Sequence, residues 1–505
     1  MLLGGSQEGE PEGSLSFLSV MGYIQKNKAH DEWEELRLKV MAIVLAAGQG
    51  KRMKSKLYKV LHQVSGKPMV GHVWNTVKEA RSERTVVVVG HGADAVKGYL
   101  GDGAEYVLQE QQLGTGHAVQ QAEALLGSEE GTTIVICGDT PLVRAETIQS
   151  MLELHSSTGA AATVLTASFD NPTGYGRVIR GGDVVERIVE QKDCTPEEAA
   201  VKEINTGTYC FDNKKLFAAL AQVKNDNAQG EFYLTDVIGI FRGAGEVVQG
   251  YCTSDLAEAI GVNDRVALAE AEGYMRERIN RKHLLEGVTL IDASSTYIEA
   301  DVRIGSDTII YPGTVLRGST VIGEDCVIGP NADIQDSVIG NGVTVKYSVA
   351  DQSVIGNEST VGPYANLRPG SKLGVGCKIG DFVELKNATL DDGSKVSHLS
   401  YVGDAKVGKD VNIGCGAITV NYDGFNKFVT EIGDNAFVGS NVNLIAPVKI
   451  GDGAYVVAGS TITHDVPAGD LSIARERQVN KPGYADKIRA RAKVKKENAK
   501  KAKSE

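Results

Sequence analysis

The stretch IGSDTIIYPGTVLRGSTVIGEDCVIGPNADI (304–334) decides the fold of the C-terminal half. An aliphatic residue recurs every six positions, at Ile304, Ile310, Leu316, Ile322, Ile328 and Ile334. The series resumes at Ile355, Val361, Leu367, Leu373, Ile379 and Leu385, and again at Ile432, Val438, Leu444, Ile450, Val456 and Ile462. Glycine often follows the aliphatic residue. A hexapeptide period marks a parallel β-helix: each six-residue step supplies one flat side, and three steps close one coil. The aliphatic residue points inward, small residues allow the corners, and each coil buries its neighbour.

Working outward, the segment NYDGFNKFVTE (421–431) interrupts the period between Thr419 and Ile432. It is polar and aromatic, so it is expected to project as a loop, and a loop on a rigid scaffold is a candidate wall for a site. On the N-terminal side, residues 264–285 read as one helix, with Leu268, Ala271, Met275 and Ile279 on one face. Before it, residues 42–262 alternate apolar runs with amphipathic segments. AIVLAAG (42–48), TVVVVG (85–90), TTIVICGD (132–139) and ATVLTA (162–167) read as strands, with helical stretches between them such as Met69–Ala80. Continuous apolar strands alternating with helices predict a mostly parallel, Rossmann-like sheet covered on both faces. The expected organisation is an extension at 1–40, an α/β domain at 41–263, a connector helix at 264–288, a β-helix at 289–480 and a basic tail at 481–505.

Residues 1–40 are polar and Gly/Glu-rich and look foreign to the rest of the chain. They are expected to be a non-native or disordered extension, with a natural start near Leu36–Met41; Trp33-Glu34-Glu35 requires a purine-rich codon run resembling a ribosome-binding site. The formal charge of −12 argues against a nucleic-acid-binding body. The seven cysteines form no CxxC pair and are odd in number, which speaks against a disulfide framework or a zinc site and for a reducing cytoplasm. No apolar run approaches about 18 residues, so no membrane span is expected, and the first residues do not read as a secretory signal. The basic stretch after 484 reads as a solvated helix or tail, with nucleic-acid or membrane contact as the alternative.

Chemistry enters with the Gly-rich loop LAAGQGKRM (45–53) after the first strand. Its glycines let the backbone approach an anion, its N–H groups point at it, and Lys51, Arg52 and Lys59 add charge. It is neither a dinucleotide fingerprint, because Met53 holds the third glycine position, nor a P-loop. Further along, QLGTGHA (112–118), CGDTPL (137–142), GYGR (174–177), VEQKD (189–193), EINTG (203–207) and GVNDR (261–265) occur in order. Together these motifs resemble the sugar-1-phosphate nucleotidylyltransferases. Within them they resemble the bacterial bifunctional N-acetylglucosamine-1-phosphate uridyltransferase/glucosamine-1-phosphate acetyltransferases, from about Met41 to about Lys481.

The resemblance implies that Ala46, Ala47 and Gly48 hold the nucleotide by backbone contacts. Gln109, Gly114 and Thr115 would read uracil and ribose, while Arg52 and Lys59 neutralise the UTP triphosphate. Asp139 and Asn263 would bind Mg²⁺; Gly176, Glu190 and Asn205 would hold the sugar. Hard oxygen donors and cations suit a reaction between two polyanions. Structural readings stand beside these roles: a turn-capping Asp139, a surface Glu190, and Asn263 as N-cap of the connector helix. Two departures from the family pattern lie in the loop, Lys51 for a usual Thr and Tyr58 for a usual Pro.

In the β-helix, NLRPG (366–370), VELK (383–386), HLSYVGD (398–404), NIGCG (412–416), NYDG (421–424) and VGSN (438–441) match the acetyltransferase half of the same family. The resemblance implies a left-handed coil, His398 as general base, and Arg368 and Lys386 on the phosphate of glucosamine-1-phosphate. Tyr401, Asn412 and Lys427 would shape the sugar pocket; Cys415, Asn421, Tyr422, Ser440, Ala458 and Arg475 would contact acetyl-CoA. Cys415 stands where the family commonly has Ala. A sugar ammonium must lose a proton before attacking a thioester, and histidine suits that task. Glu384, close in sequence, is a candidate to orient the base. The resemblance also implies a homotrimer with acetyl sites built between chains. Two alternatives compete with the two-site enzyme: a single-site sugar-1-phosphate nucleotidylyltransferase with a regulatory β-helix, and a non-enzymatic scaffold.

Overall fold

The computed structural model describes residues 39–502. They form two compact units divided between Arg276 and Glu277, inside the helix Arg265–Leu285. The expected extension 1–40 lies outside the described residues apart from Lys39 and Val40. Those two already belong to the fold: Val40 opens the first strand, and Thr132 N donates to Lys39 O at 2.9 Å.

The first unit carries a nine-stranded sheet: β1 (Val40–Ala46), β2 (Arg84–Val89), β3 (Glu105–Leu108), β4 (Thr132–Cys137), β5 (Ala162–Ser168), β6 (Gly176–Gly181), β7 (Val184–Val189), β8 (Glu203–Asp212) and β9 (Val248–Cys252). The order is β9-β5-β8-β4-β1-β2-β3, with β6 against β8 and β7 against β6. β1 runs parallel to β2 and β4, and β2 to β3; β8 is antiparallel to β4, β5 and β6. The apolar runs are continuous because both faces are buried. Met41 and Ile43 face one core with Phe211, Leu216 and Phe241, while Ala42, Val44 and Ala46 face another with Val70, Val73 and Ile148. The strands end earlier than their apolar runs. Ala47, Gly48 and Asp139 leave the sheet at the carboxyl ends of β1 and β4, where ligands of open parallel sheets bind.

The second unit stacks three parallel sheets of eleven, ten and nine strands, here the first, second and third faces. The strands are short and repeat one pattern, an outward residue and then a buried one, as in Val321–Ile322 and Lys372–Leu373. The buried residues form one continuous aliphatic core from Val288 to Val466. The coils are also continuous where the six-residue period lapses. There the step shortens to five residues, as from Ile334 to Ile339, Leu385 to Leu390 and Val402 to Val407, all buried. In each short step the second residue after the inward one is left-handed: Asp336, Tyr347, Gln352, Asn387 and Asp404 have φ of 44–48°. Asp and Asn tolerate that region better than most residues, so the corner tightens by one residue at modest cost.

Buried Ser and Thr hydroxyls brace the corners. Thr308 Oγ1 donates to Gly323 O at 2.8 Å and accepts from Cys326 N at 3.1 Å; Ser359 Oγ donates to Gly374 O and accepts from Cys377 N, both at 3.0 Å. Each satisfies main-chain groups of the next coil that the corner leaves without a sheet partner. The insertion after Thr419 is a hairpin-like loop: Tyr422 pairs with Lys427, and Asp423 Oδ1 accepts from the amides of Phe425 and Asn426. Among the described residues, the C-terminal segment is a helix, Tyr484–Lys501, exposed throughout where its side chains are described. No helix of the described residues is long and apolar enough to cross a membrane.

Candidate active sites

The Gly-rich loop turns through Gly50, whose φ of 64° is left-handed, and a Cβ there would lie 2.5 Å from Lys59 Cβ. Glycine therefore lets the loop fold back onto Lys59. Buried Met53 anchors the loop in the core, while Lys51 and Arg52 remain exposed. Tyr58 has φ −62°, a value proline would impose, and its ring lies where a Cβ on Gly92 would sit. Tyr58 thus takes the φ that proline would impose, without proline's covalent lock.

The loops after β1, β3 and β4 meet. Gln112 Nε2 donates to Ala47 O at 2.5 Å, tying the Gly-rich loop to the 109–115 segment. Gln109 is buried, and its Nε2 lies 3.2 Å from Gly114 O and 3.0 Å from His117 Nδ1. Thr115 Oγ1 accepts from Leu234 N at 3.1 Å. The motif QLGTGHA suggests no role for Gln112 or His117; only the fold shows what they hold.

Lys59 Nζ donates to Asp139 Oδ2 and, at 3.1 Å, to Asn263 Oδ1. Two residues 124 positions apart in sequence thus aim hard oxygens at one cationic point. One carboxylate and one amide oxygen are hard donors of the kind Mg²⁺ takes, so this donor set fits that ion. Asp139 is no turn cap: Thr140 Oγ1 bonds Cys137 O, and Asp139 spends its carboxylate on Lys59. Nor does Asn263 cap the helix. Asp264 Oδ1 accepts from Val266 N and Ala267 N, both at 3.0 Å, which leaves the Asn263 amide oxygen for Lys59.

The sugar-side residues also converge. Gly176 pairs with Asn205 between β6 and β8. A Cβ on Gly176 would lie 3.6 Å from both Glu190 carboxylate oxygens. Glu190 is not a surface charge. Burial raises its carboxyl; a hydrogen bond from Thr235 opposes this, and like charges on Asp193, Asp236 and Glu231 add to it. Asn205 Nδ2 donates to Tyr209 OH at 2.7 Å, and its Oδ1 accepts from Gly207 N at 3.1 Å.

On the second face of the β-helix, Arg368, Lys386 and Tyr401 project from successive coils. Lys386 Nζ donates to both oxygens of Asp404, at 3.3 and 3.1 Å. Asn387 Nδ2 and Asn421 Nδ2 also donate to Asp404, at 2.8 and 2.5 Å. Burial would raise this carboxyl; Asn387, Lys386 and Asn421 together hold it below the usual carboxylate range. Lys427, from the insertion, stands beside Lys386, which lowers its pKa, and Arg368 adds like charge. Three cations thus gather around one face, a charge pattern that suits an anion. Asp404, which no motif role had singled out, organises it.

His398 lies at the corner between the first and second faces, and its Nδ1 is 2.5 Å from Asp381 Oδ1. The expected orienting group, Glu384, is engaged elsewhere: it accepts from Arg368 Nη1 at 2.9 Å. Sequence proximity misleads here, because the coil brings Asp381, 17 residues back, into register with His398. Continuing that register upward, the same corner carries Cys415, Ser440 and Ala458. Asn441 N bonds Cys415 O, and Gly459 N bonds Ser440 O. Arg475 Cδ would lie 3.6 Å from a Cβ on Gly459, one coil further. Tyr422 flanks the insertion, with its hydroxyl donating to Gly424 O. Asn412 does not join Arg368, Lys386 and Tyr401. It projects from the first face, in register with Lys395 and Phe437, and one chain does not bring the four together.

Residues 42–235 match a family described as the MobA-like NTP transferase domain, and residues 430–464 match the bacterial transferase hexapeptide, six repeats. A protein of Geobacillus sp. (strain WCH70) named Bifunctional protein GlmU is 60% identical over 452 residues, covering 89% of this chain and 98% of its own. Proteins of the same name from Shouchella clausii and Geobacillus thermodenitrificans are 59% and 58% identical, covering 88% and 90% of this chain and 98% and 100% of theirs.

Proposed function

The chain belongs to the family of bifunctional GlmU proteins, and on that premise we infer that it makes UDP-N-acetylglucosamine in two steps at two sites. It acetylates glucosamine-1-phosphate from acetyl-CoA, and it transfers a uridylyl group from UTP to N-acetylglucosamine-1-phosphate. The observation that carries the two-site reading is that each unit gathers its own cluster of charged and polar groups: Lys59, Asp139 and Asn263 in one, and Arg368, Lys386, Lys427 and His398 in the other.

In the first site a phosphate oxygen of the sugar phosphate attacks the α-phosphorus of UTP, and the bond to pyrophosphate breaks. Lys59 and Arg52 offset the charge of the triphosphate, and the loop from Ala46 to Gly48 offers main-chain donors. Gln109, Gly114 and Thr115 seat the nucleoside; Gly176, Glu190 and Asn205 seat the sugar. Asp139 and Asn263 would hold Mg²⁺, which supplies charge neutralisation at the reacting phosphates.

In the second site Arg368, Lys386 and Lys427 hold the sugar phosphate beside Tyr401. His398 removes a proton from the 2-ammonium group; the free amine attacks the thioester carbonyl, and coenzyme A leaves as the thiol. Cys415, Asn421, Tyr422, Ser440, Ala458 and Arg475 receive acetyl-CoA along the corner above His398. Asn412 would complete the pocket of a neighbouring copy, in a homotrimer of the cytoplasm. The domains are taken as 41–263 for uridylyl transfer, 264–288 as connector and 289–480 for acetyl transfer.

His398→Ala, with both half-reactions assayed on one preparation, tests this reading. Acetylation is expected to fall by about 10²–10⁴-fold, with uridylyl transfer from supplied N-acetylglucosamine-1-phosphate unchanged. Unchanged acetylation would overturn the second site and favour a regulatory β-helix.

A further inference from the structure

We propose that Asp381 is a positioning residue for acetyl transfer: its carboxylate holds the Nδ1–H of His398, so that Nε2 is the nitrogen free to take the proton of the sugar ammonium. The inference rests on the reading of His398 as the base and goes beyond it, because nothing in the motifs assigns Asp381 a part.

The geometry is built into the coil. Asp381 and His398 occupy equivalent positions of adjacent coils, paired in register between the strands Lys378–Asp381 and Lys395–His398. Leu399 N donates to Asp381 O at 2.9 Å, fixing the backbone that carries the carboxylate. Gly380 is part of the device. A Cβ there would fall 1.8 Å from Ser397 O, so only glycine allows the two coils this approach beside the pair. Asp381 Oδ1 then lies 2.5 Å from His398 Nδ1. A carboxylate accepts only, so the nitrogen facing it must carry the proton, and the tautomer is thereby set.

The groups around the ring leave this role to Asp381. Cys415 stands one coil above at the same corner. Lys395 opens the strand that ends at His398, and Lys378 opens the strand below. Glu384 is paired with Arg368. Among the described residues, Asp381 is the one ionisable group within hydrogen-bonding distance of the imidazole. The pair is partly exposed, with side-chain exposures of 59% for His398 and 35% for Asp381. A substrate amine can therefore approach Nε2 from the open side while Nδ1 stays engaged. Proton transfer leaves an imidazolium next to the carboxylate, which stabilises it; loss of the carboxylate removes both the orientation and that stabilisation.

Asp381→Asn tests the proposal, read as kcat of acetyl transfer together with the ¹⁵N signals of the His398 ring, which report the nitrogen that carries the proton. The amide keeps the size and removes the charge. The expected result is a fall in kcat of roughly 10–100-fold, with uridylyl transfer unchanged. In the parent the neutral ring is expected to show the Nδ1–H tautomer, and in Asp381→Asn that preference is expected to weaken. An amide can donate to Nδ1 as well as accept from it, so it no longer dictates which nitrogen carries the proton. Asp381→Glu is expected to restore the Nδ1–H tautomer and part of kcat. A loss of activity with an unchanged ring tautomer would mean that Asp381 acts only through packing, and unchanged kcat would also overturn the proposal. His398→Ala, run beside it, separates the two claims. If that variant is inactive and Asp381→Asn is normal, the role of Asp381 alone fails. If His398→Ala is active, the identification of the base fails.

Discussion

Lys59 shows how much one side chain does before any substrate arrives. Its ammonium bridges Asp139 and Asn263, the two residues expected to hold the metal. Phosphates of an incoming nucleotide would draw it away and leave two oxygens facing a cation that arrives with them. If those two oxygens hold the metal, the ammonium competes with it. Lys59→Met is expected to tighten Mn²⁺ binding in the absence of nucleotide by about tenfold, equivalent to about 1.4 kcal/mol, measured by the free Mn²⁺ signal in electron paramagnetic resonance. Unchanged affinity would show that the lysine does not compete. The second site has a counterpart in Asp404, where one buried carboxylate collects Lys386, Asn387 and Asn421.

At the scale of elements, the coil solves a backbone problem that the hexapeptide period does not reveal. A corner every five or six residues interrupts the sheet ladders, and the exposed N–H and C=O groups need partners inside a solid core. The buried hydroxyls provide them. Ser359→Ala removes the acceptor for Cys377 N and the donor to Gly374 O. Leaving a buried amide unpaired costs about 1–3 kcal/mol, and urea denaturation of the second unit should show a loss of that size, with Ser359→Thr close to the parent. A change below about 0.5 kcal/mol would mean that the corner relaxes to find another partner. The lapses in the period have a related cause. Left-handed Asn387 and Asp404 shorten the same corner in two adjacent coils, and Asn387 Nδ2 bonds the Asp404 carboxylate beside Lys386. The periodic signal fades wherever such a corner drops a residue, at Asp336, Tyr347 and Gln352 as well.

At the scale of the whole molecule, a triangular coil turns adjacent faces away from each other. Arg368, Lys386 and Tyr401 share the second face, whereas Asn412 belongs to the first. If Asn412 serves a neighbouring copy, two inactive variants can repair each other. His398→Ala and Asn412→Ala, each deficient in acetyl transfer alone, are expected to regain activity when unfolded together and refolded as mixed oligomers. Some sites in the mixture then combine an intact His398 with an intact Asn412. Absence of recovery, with mixed assembly demonstrated by mass, would place the whole pocket in a single chain.

The sequence by itself determined the two architectures, because both rest on local periodicity. Alternating apolar strands and helices specify a covered parallel sheet, and an inward aliphatic residue every sixth position specifies a coil. It also carried the charged residues of both sites, since phosphate chemistry restricts residue type and the motifs keep their order. Only the tertiary structure decided which groups meet. Asp381 rather than Glu384 faces His398, Asp264 rather than Asn263 caps the helix, and Gln112 reaches Ala47 across the loops. The reason is geometric. A coil makes neighbours of residues 16 to 18 apart, or 25 across the insertion, and a parallel sheet makes neighbours of loops separated by whole helices. Hydrogen bonds depend on those distances in space, which residue spacing along the chain does not encode.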